Sequence, residues 1–320
     1  MKEEEIRPKA ILDQYLKLSA EDGAKLDKNL FQECVCQACG GTRKETKFEK
    51  HGYTYKMCLD CHSLFCSPRP TPDQISSLYF NSPSSTFWSN VFFPSVRDAR
   101  REKLFKPKAK KIANLIKEKG LAVKTVCDIG AGHGLFLEEL QKEIPGLSLF
   151  AVEPDSTSAE VCRSKGIETL VSTAEDAKVW RNKFDLVLCS EVVEHVHNVK
   201  NFVSSVHSLV RSGGHYLITG LGYDGFDILT LQDKSKAVSP PHHLNFLSVE
   251  GFNKLFILLG ARSVEVWTPG QLDVDIVINS GIENEFIRVL KARGDSVVRE
   301  FQEFLARNQL SSHTWILVQK

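Results

Sequence analysis

Residues Val126–Leu140 read VCDIGAGHGLFLEEL. An apolar run ends at Asp128, glycines follow at positions 130, 132 and 134, and an amphipathic run resumes at Leu135. Such a strand, glycine turn and helix start belongs at the carboxyl end of a strand in an open parallel sheet, where ligands bind. A phosphate-cradling loop would need Gly-Lys-Ser/Thr after its glycines. Leu-Phe-Leu stands there instead, which excludes that reading. A dinucleotide turn would need a glycine at position 135 so that helix and strand pack closely. Leu135 weakens that reading too.

The pattern around the turn agrees with such a sheet. Strand-like runs at Thr125–Asp128, Ser148–Val152, near Leu170, Asp185–Cys189, His215–Thr219 and Arg262–Thr268 alternate with helical periodicity, and the tail HTWILVQK reads as a last strand. This predicts an α/β fold with a doubly wound, mainly parallel, seven-stranded sheet. A helical segment at 1–33, a cysteine-rich module at 34–66 and an aromatic cover at 67–97 precede the main domain, 98–320. An insertion at about 271–310 is helical over Ile282–Asn308, while Gln271–Asn279 could be strand or helix.

The segment VCDIGAGHG resembles the first motif of class I S-adenosylmethionine-dependent methyltransferases. That resemblance implies a cofactor lying across Gly130, Ala131, Gly132 and Gly134, with Asp128 serving its ammonium group. Its ligand carries no phosphate and needs no lysine; glycine lets it pass close to backbone. Glu153 and Pro154, in FAVEPD, would meet the ribose, the carboxylate pairing with both hydroxyls. Ala174 and Glu175, in TAEDAKVW, would meet the adenine. FDLVLCSEVVEHVHN resembles the fourth motif of the small-molecule branch that includes ubiquinone-pathway O-methyltransferases. It would put Cys189 and Ser190 beside the cofactor, and Glu191, Glu194 and His195 between cofactor and acceptor. A hydroxyl acceptor needs a base, for which histidine is suited. SPPHHLNF resembles a segment that carries a substrate-side histidine, so His242 and His243 join His195 and Glu194 as catalytic candidates.

Six of the nine cysteines crowd between residues 34 and 66. Cys36-x2-Cys39 and Cys58-x2-Cys61 have the spacing of a tetrahedral thiolate cage for structural zinc, a zinc ribbon. Cys34, His62 and Cys66 are spare candidates, and Cys127, Cys162 and Cys189 read as packing residues. The ribbon with the following Pro-Arg-Pro-Thr resembles a bacterial group of methyltransferases with an N-terminal zinc module. Sugar C-methyltransferases also carry such modules, typically with a longer C-terminal domain.

The net charge of +1 gives no global pull toward nucleic acid or anionic membrane. No apolar run approaches the roughly 20 residues of a membrane span. The acidic, mixed N-terminus MKEEEIRPK is unlike a secretory signal, so a cytoplasmic protein is expected. One basic stretch, 97–120, keeps an RNA methyltransferase in view. Near-neutral charge favours a small-molecule or sugar hydroxyl as acceptor and makes nucleic acid a lesser expectation.

Overall fold

The computed structural model describes residues 2–320. Its strands, in chain order, are β1 Lys44–Lys50, β2 Tyr53–Cys58, β3 Leu64–Cys66, β4 Thr125–Ile129, β5 Ser148–Val152, β6 Glu168–Leu170, β7 Phe184–Ser190, β8 Val210–Leu221, β9 Asn245–Phe246, β10 Ser263–Trp267 and β11 His313–Gln319. Seven of them form one sheet in the order β10-β11-β8-β7-β4-β5-β6. β11 runs antiparallel to both its neighbours, and the other pairings are parallel. The central strands β4 and β7 are buried on both faces, which explains their nearly unbroken apolar runs. Gly213 and Gly214 loop out within β8 where its register with β7 shifts.

Helices cover both faces. Lys106–Glu118 and Leu135–Glu143 pack on one face, and Val199–Leu209 and Val249–Leu258 on the other. The N-terminal helix is Lys9–Lys25, and its Leu12 packs on Phe92 and Val96. Gln271–Asn279, ambiguous by periodicity, contains a helix, Asp273–Asn279. The expected long helix over 282–308 is two, Glu285–Ala292 and Asp295–Arg307, parted at Gly294, whose φ is +91°.

The first part of the aromatic cover is a separate helix, Pro72–Asn81, while the rest of it and the basic stretch form one continuous helical rod, Pro83–Glu118, interrupted by two π turns at Trp88–Phe92 and Arg101–Phe105. In each, the helix widens by one residue: Phe93 N–H donates to Trp88 O, and Lys106 N–H to Arg101 O. Pro94 and Pro107 come directly after them. A proline ring clashes with the carbonyl four residues back and supplies no N–H, and a π turn relieves both problems without ending the helix.

The cysteine module is not free-standing. β1, β2 and β3 form an antiparallel sheet whose fourth strand, β9, comes from the main domain. Cys36, Cys58 and Cys61 belong to the same buried cluster as Cys127, Phe150 and Val187 of the large sheet. Ser248 locks the junction: its hydroxyl accepts the Gly251 N–H as helix cap and donates to the Cys61 carbonyl, while its own N–H donates to Ser63 Oγ. A Cβ on Gly251 would stand 2.1 Å from Ser63 Oγ. Gly251→Val is therefore expected to separate the two sheets and cost about 1–3 kcal/mol of stability. A thermal melt of this variant beside wild type checks that, and an unchanged midpoint refutes it.

Candidate active site

A cavity of about 430 Å³ lies at the carboxyl ends of β4 and β7. Asp128, Gly130, Ala131 and Gly132 supply one part of its wall, and Ser190 and Glu191 another. Trp88, Phe93, Arg100 and Lys108 enter from the long helical rod, and His313 and Trp315 from β11.

The glycines do different work. Gly132 has φ +52°, and a Cβ there would meet nothing within 4 Å, so its bare peptide faces open space. Gly134 has φ +69°, and a Cβ there would stand 2.7 Å from Ile167 Cδ1 and 3.1 Å from Cys162 Sγ. It is bare so that the helix start can press on the next βα unit. Glu153 holds the turn: its Oε2 accepts the Gly132 N–H at 2.7 Å and its Oε1 the Asp155 N–H at 3.0 Å. Each oxygen keeps a lone pair for a further donor.

Asp128 is buried, and its Oδ1 has no hydrogen-bond partner among the described residues. Burial pushes its carboxyl up to about 7, against the pull of the Lys108 ammonium. An unpartnered carboxylate beside open backbone fits a ligand ammonium, so the residues present suit the amino-acid part of S-adenosylmethionine. Lys108 itself is half-buried and donates to Ser190 Oγ and Thr219 Oγ1, both at 2.8 Å.

Glu191 has φ +56°, a costly backbone position for a residue with a side chain. Its Oε1 accepts from Thr219 Oγ1 at 2.8 Å and lies 2.9 Å from His313 Nε2. A carboxylate only accepts, so His313 donates to it from Nε2. Burial would raise the Glu191 carboxyl. The His313 imidazole, Lys108 and Thr219 outweigh it and hold the group well below the usual carboxylate range. His313 was hidden in the sequence, read only as part of a last strand.

The other expected residues lie apart from the cavity wall. His195, His242 and His243 cluster together, with 4.6 Å between the rings of His195 and His243. His243 Nδ1 meets the Ala237 carbonyl at 2.5 Å, His242 Nε2 lies 3.1 Å from Ser84 Oγ, and His195 Nδ1 lies 2.8 Å from Tyr79 Oη. Burial pushes the His242 and His243 imidazoles down to about 3 and about 4. Glu194 is buried behind β8, its carboxyl raised by burial and then by Glu191. Cys189 is buried within β7, and Ala174 joins the core beneath the turn after β6. Glu175 is half-buried and Pro154 exposed.

A second centre fits a metal. The four thiolate positions Cys36, Cys39, Cys58 and Cys61 bring their sulfurs within 4.8 Å of one another. Cys36 to Cys61 is 3.5 Å and Cys39 to Cys58 is 3.6 Å. Tetrahedral zinc with Zn–S bonds of about 2.3 Å spaces its sulfurs by about 3.8 Å, so this donor set matches zinc. Cys34 Sγ instead donates to the Cys66 carbonyl.

Comparison with known proteins agrees with this geometry. Residues 99–266 match the family model described as a methyltransferase domain. A ubiquinone biosynthesis O-methyltransferase of Vibrio parahaemolyticus is 33% identical over 114 residues, covering 33% of this chain and 48% of the relative. Its counterpart from Pseudomonas paraeruginosa is 32% identical over 107 residues, covering 31% and 45%. The chain thus spans about half the length of the curated relatives it matches. Among solved structures, the plantazolicin methyltransferase BamL, in complex with a triazolic desmethylPZN analog and SAH, is similar in fold, with a TM-score of 0.51 and 13% identity over 77% of this chain and 94% of that one. The family match takes in more than half of the chain, so the chain belongs to the methyltransferase-domain family, built on the class I S-adenosylmethionine-dependent methyltransferase fold.

Proposed function

We propose that this protein transfers the methyl group of S-adenosylmethionine to a hydroxyl of a small molecule or sugar. One observation carries the reading: a partnerless Asp128 carboxyl beside the open Gly132 peptide, in a cavity that continues to the His313–Glu191 pair. Asp128 binds the cofactor ammonium, Glu153 with Pro154 the ribose, and Ala174 with Glu175 the adenine, while Cys189 and Ser190 line the cofactor's far side. The cofactor supplies an electrophilic methyl, and the protein must align the nucleophile with it and exclude water. His313 takes the hydroxyl proton at Nδ1, and Glu191 orients the ring and offsets the developing charge. His195, His242, His243 and Glu194 act one layer behind, fixing the wall against which the acceptor rests.

The basic helix gives little support to the RNA reading. Arg101 pairs with Glu139, Lys106 with Glu102, Lys119 with Glu265, and Lys108 turns into the cavity. Few of its cations remain for a phosphate backbone. A sugar C-methyltransferase would use the same cofactor site; the His313–Glu191 pair favours oxygen as nucleophile. The proposed zinc cage needs Cys36, Cys39, Cys58 and Cys61 reduced, which favours a reducing, cytoplasmic setting.

The product analogue S-adenosylhomocysteine, which keeps the ammonium, tests the cofactor site by calorimetry. Wild type is expected to bind one equivalent, and Gly132→Arg, which fills the cradle, none. Asp128 must be ionised to hold an ammonium. Affinity should therefore be greatest just above the raised pKa of Asp128, where the ligand ammonium is still protonated, and weaken by about tenfold per unit as pH falls below that pKa. Asp128→Asn should bind weakly at every pH; a flat wild-type profile contradicts the assignment. With methyl-tritiated cofactor and a small-molecule extract, His313→Ala should lower transfer by about 100-fold or more while binding the analogue normally. Full activity in that variant would rule His313 out as base.

We further propose that the four thiolates hold one structural zinc. Elemental analysis should find about one zinc per chain, and Cys58→Ser should lose both metal and several degrees of melting temperature. A metal-free protein with an unchanged melt would exclude the cage.

A further inference from the structure

Arg100 stands in the cavity wall between the two π turns. Its Nε and Nη1 are shielded from solvent and have no hydrogen-bond partner among the described residues. The guanidinium lies 5.6 Å from the Trp88 ring centroid and 5.9 Å from that of Phe93. Those rings can steady its plane, but they accept none of its N–H groups as a carboxylate would. Burial first, then Arg7, lowers the guanidinium to about 10, with Glu191 opposing. Arg100 is half-buried, and leaving its shielded N–H groups unpaired is costly unless a ligand completes them.

The rest of the cavity leans the same way. Arg7 and Lys111 line it as well. Its carboxylates are occupied or close to neutral: Glu191 is taken by His313 and Thr219, and Asp273 by Ser311, Ser312 and Gln302. Burial with Asp273 pushes Asp227 up to about 8, and an ionised Asp128 is matched by the ligand ammonium it is proposed to hold. Positive charge therefore exceeds negative charge around the cavity at neutral pH.

We propose that the methyl acceptor carries an anionic group, a carboxylate or a phosphate, which seats on the Arg100 guanidinium. This rests on the methyl-transfer reading and names the class of its substrate. The planar fork suits either anion through two parallel N–H···O bonds, with Arg7 and Lys111 adding long-range attraction.

Calorimetry on the full chain saturated with S-adenosylhomocysteine tests it, using benzoate and phenyl phosphate as anionic probes and benzyl alcohol as the uncharged one. At least one anion should bind, and benzyl alcohol should bind at least about tenfold more weakly. Whichever anion binds tighter identifies the acceptor group. Arg100→Gln should weaken that anion by about tenfold or more, and Arg100→Lys by less, with affinity for S-adenosylhomocysteine held within about twofold. Arg7→Gln, a milder change, should weaken the anion by a few-fold. Equal binding of alcohol and anions, no binding of either anion, or an unchanged anion affinity in Arg100→Gln overturns the proposal. So does a selective loss of S-adenosylhomocysteine binding in that variant, which would give Arg100 to the cofactor's own carboxylate. Failure of wild type to bind S-adenosylhomocysteine at all would instead bring down the methyl-transfer reading on which the proposal stands.

Discussion

The hydrogen bond from the Gly132 amide to the Glu153 carboxylate joins the turn after β4 to the end of β5, and the cavity takes its shape from that tie. A turn of three glycines at positive φ has little conformational preference of its own and loses much entropy on ordering. Glu153 fixes its middle, and the close approach of Gly134 to Ile167 and Cys162 fixes its end. With both anchored, the Gly132 peptide is left bare over open space, and Asp128 is left buried and unpartnered beside it. The same carboxylate can stabilise the turn and receive ribose hydroxyls, because each of its oxygens can accept more than one donor.

The cysteine module reaches the site through the segment it braces. Tyr55 Oη donates to the His243 carbonyl at 2.6 Å, Cys66 N–H to the Leu244 carbonyl at 2.8 Å, and β3 pairs with β9. From the other side Ser84 meets His242, and Tyr79 meets His195. Segment 239–247 is thus a joint between ribbon, cover and sheet. Each of its two histidines has one ring nitrogen on a structural partner, and desolvation disfavours the charged form of both. A metal cage with no open coordination position can influence such a site only through this kind of mechanical continuity.

The two prolines of the rod have a comparable effect at a distance. Each makes a straight α-helix untenable, and each widened turn shifts the rotational phase of the helix beyond it. Phe93–Arg100 lies between the two shifts, and Lys108 comes after the second. A simple helical wheel drawn over 97–120 therefore misplaces its charges: it shows a solvated basic face, whereas Arg100 and Lys108 enter the cavity.

Much of this protein was legible in order of appearance. Short apolar runs between helical periods specify a parallel sheet, because strands covered on both faces cannot alternate with polar residues. The glycine turn and the paired Cys-x-x-Cys units carry their geometry locally, since both depend on backbone spacing over a few residues. Contacts between residues far apart in sequence were not legible. His313 and Glu191 are 122 positions apart and meet because β11 inserts beside β8. β9, two residues long, carries no periodicity, and its partner β3 lies in another module. The sequence by itself determined the sheet, the glycine turn and the set of four clustered cysteines. Tertiary structure decided which charges face the cavity and brought His313 into its wall beside His133, because burial and pairing follow from packing between distant elements and not from local spacing.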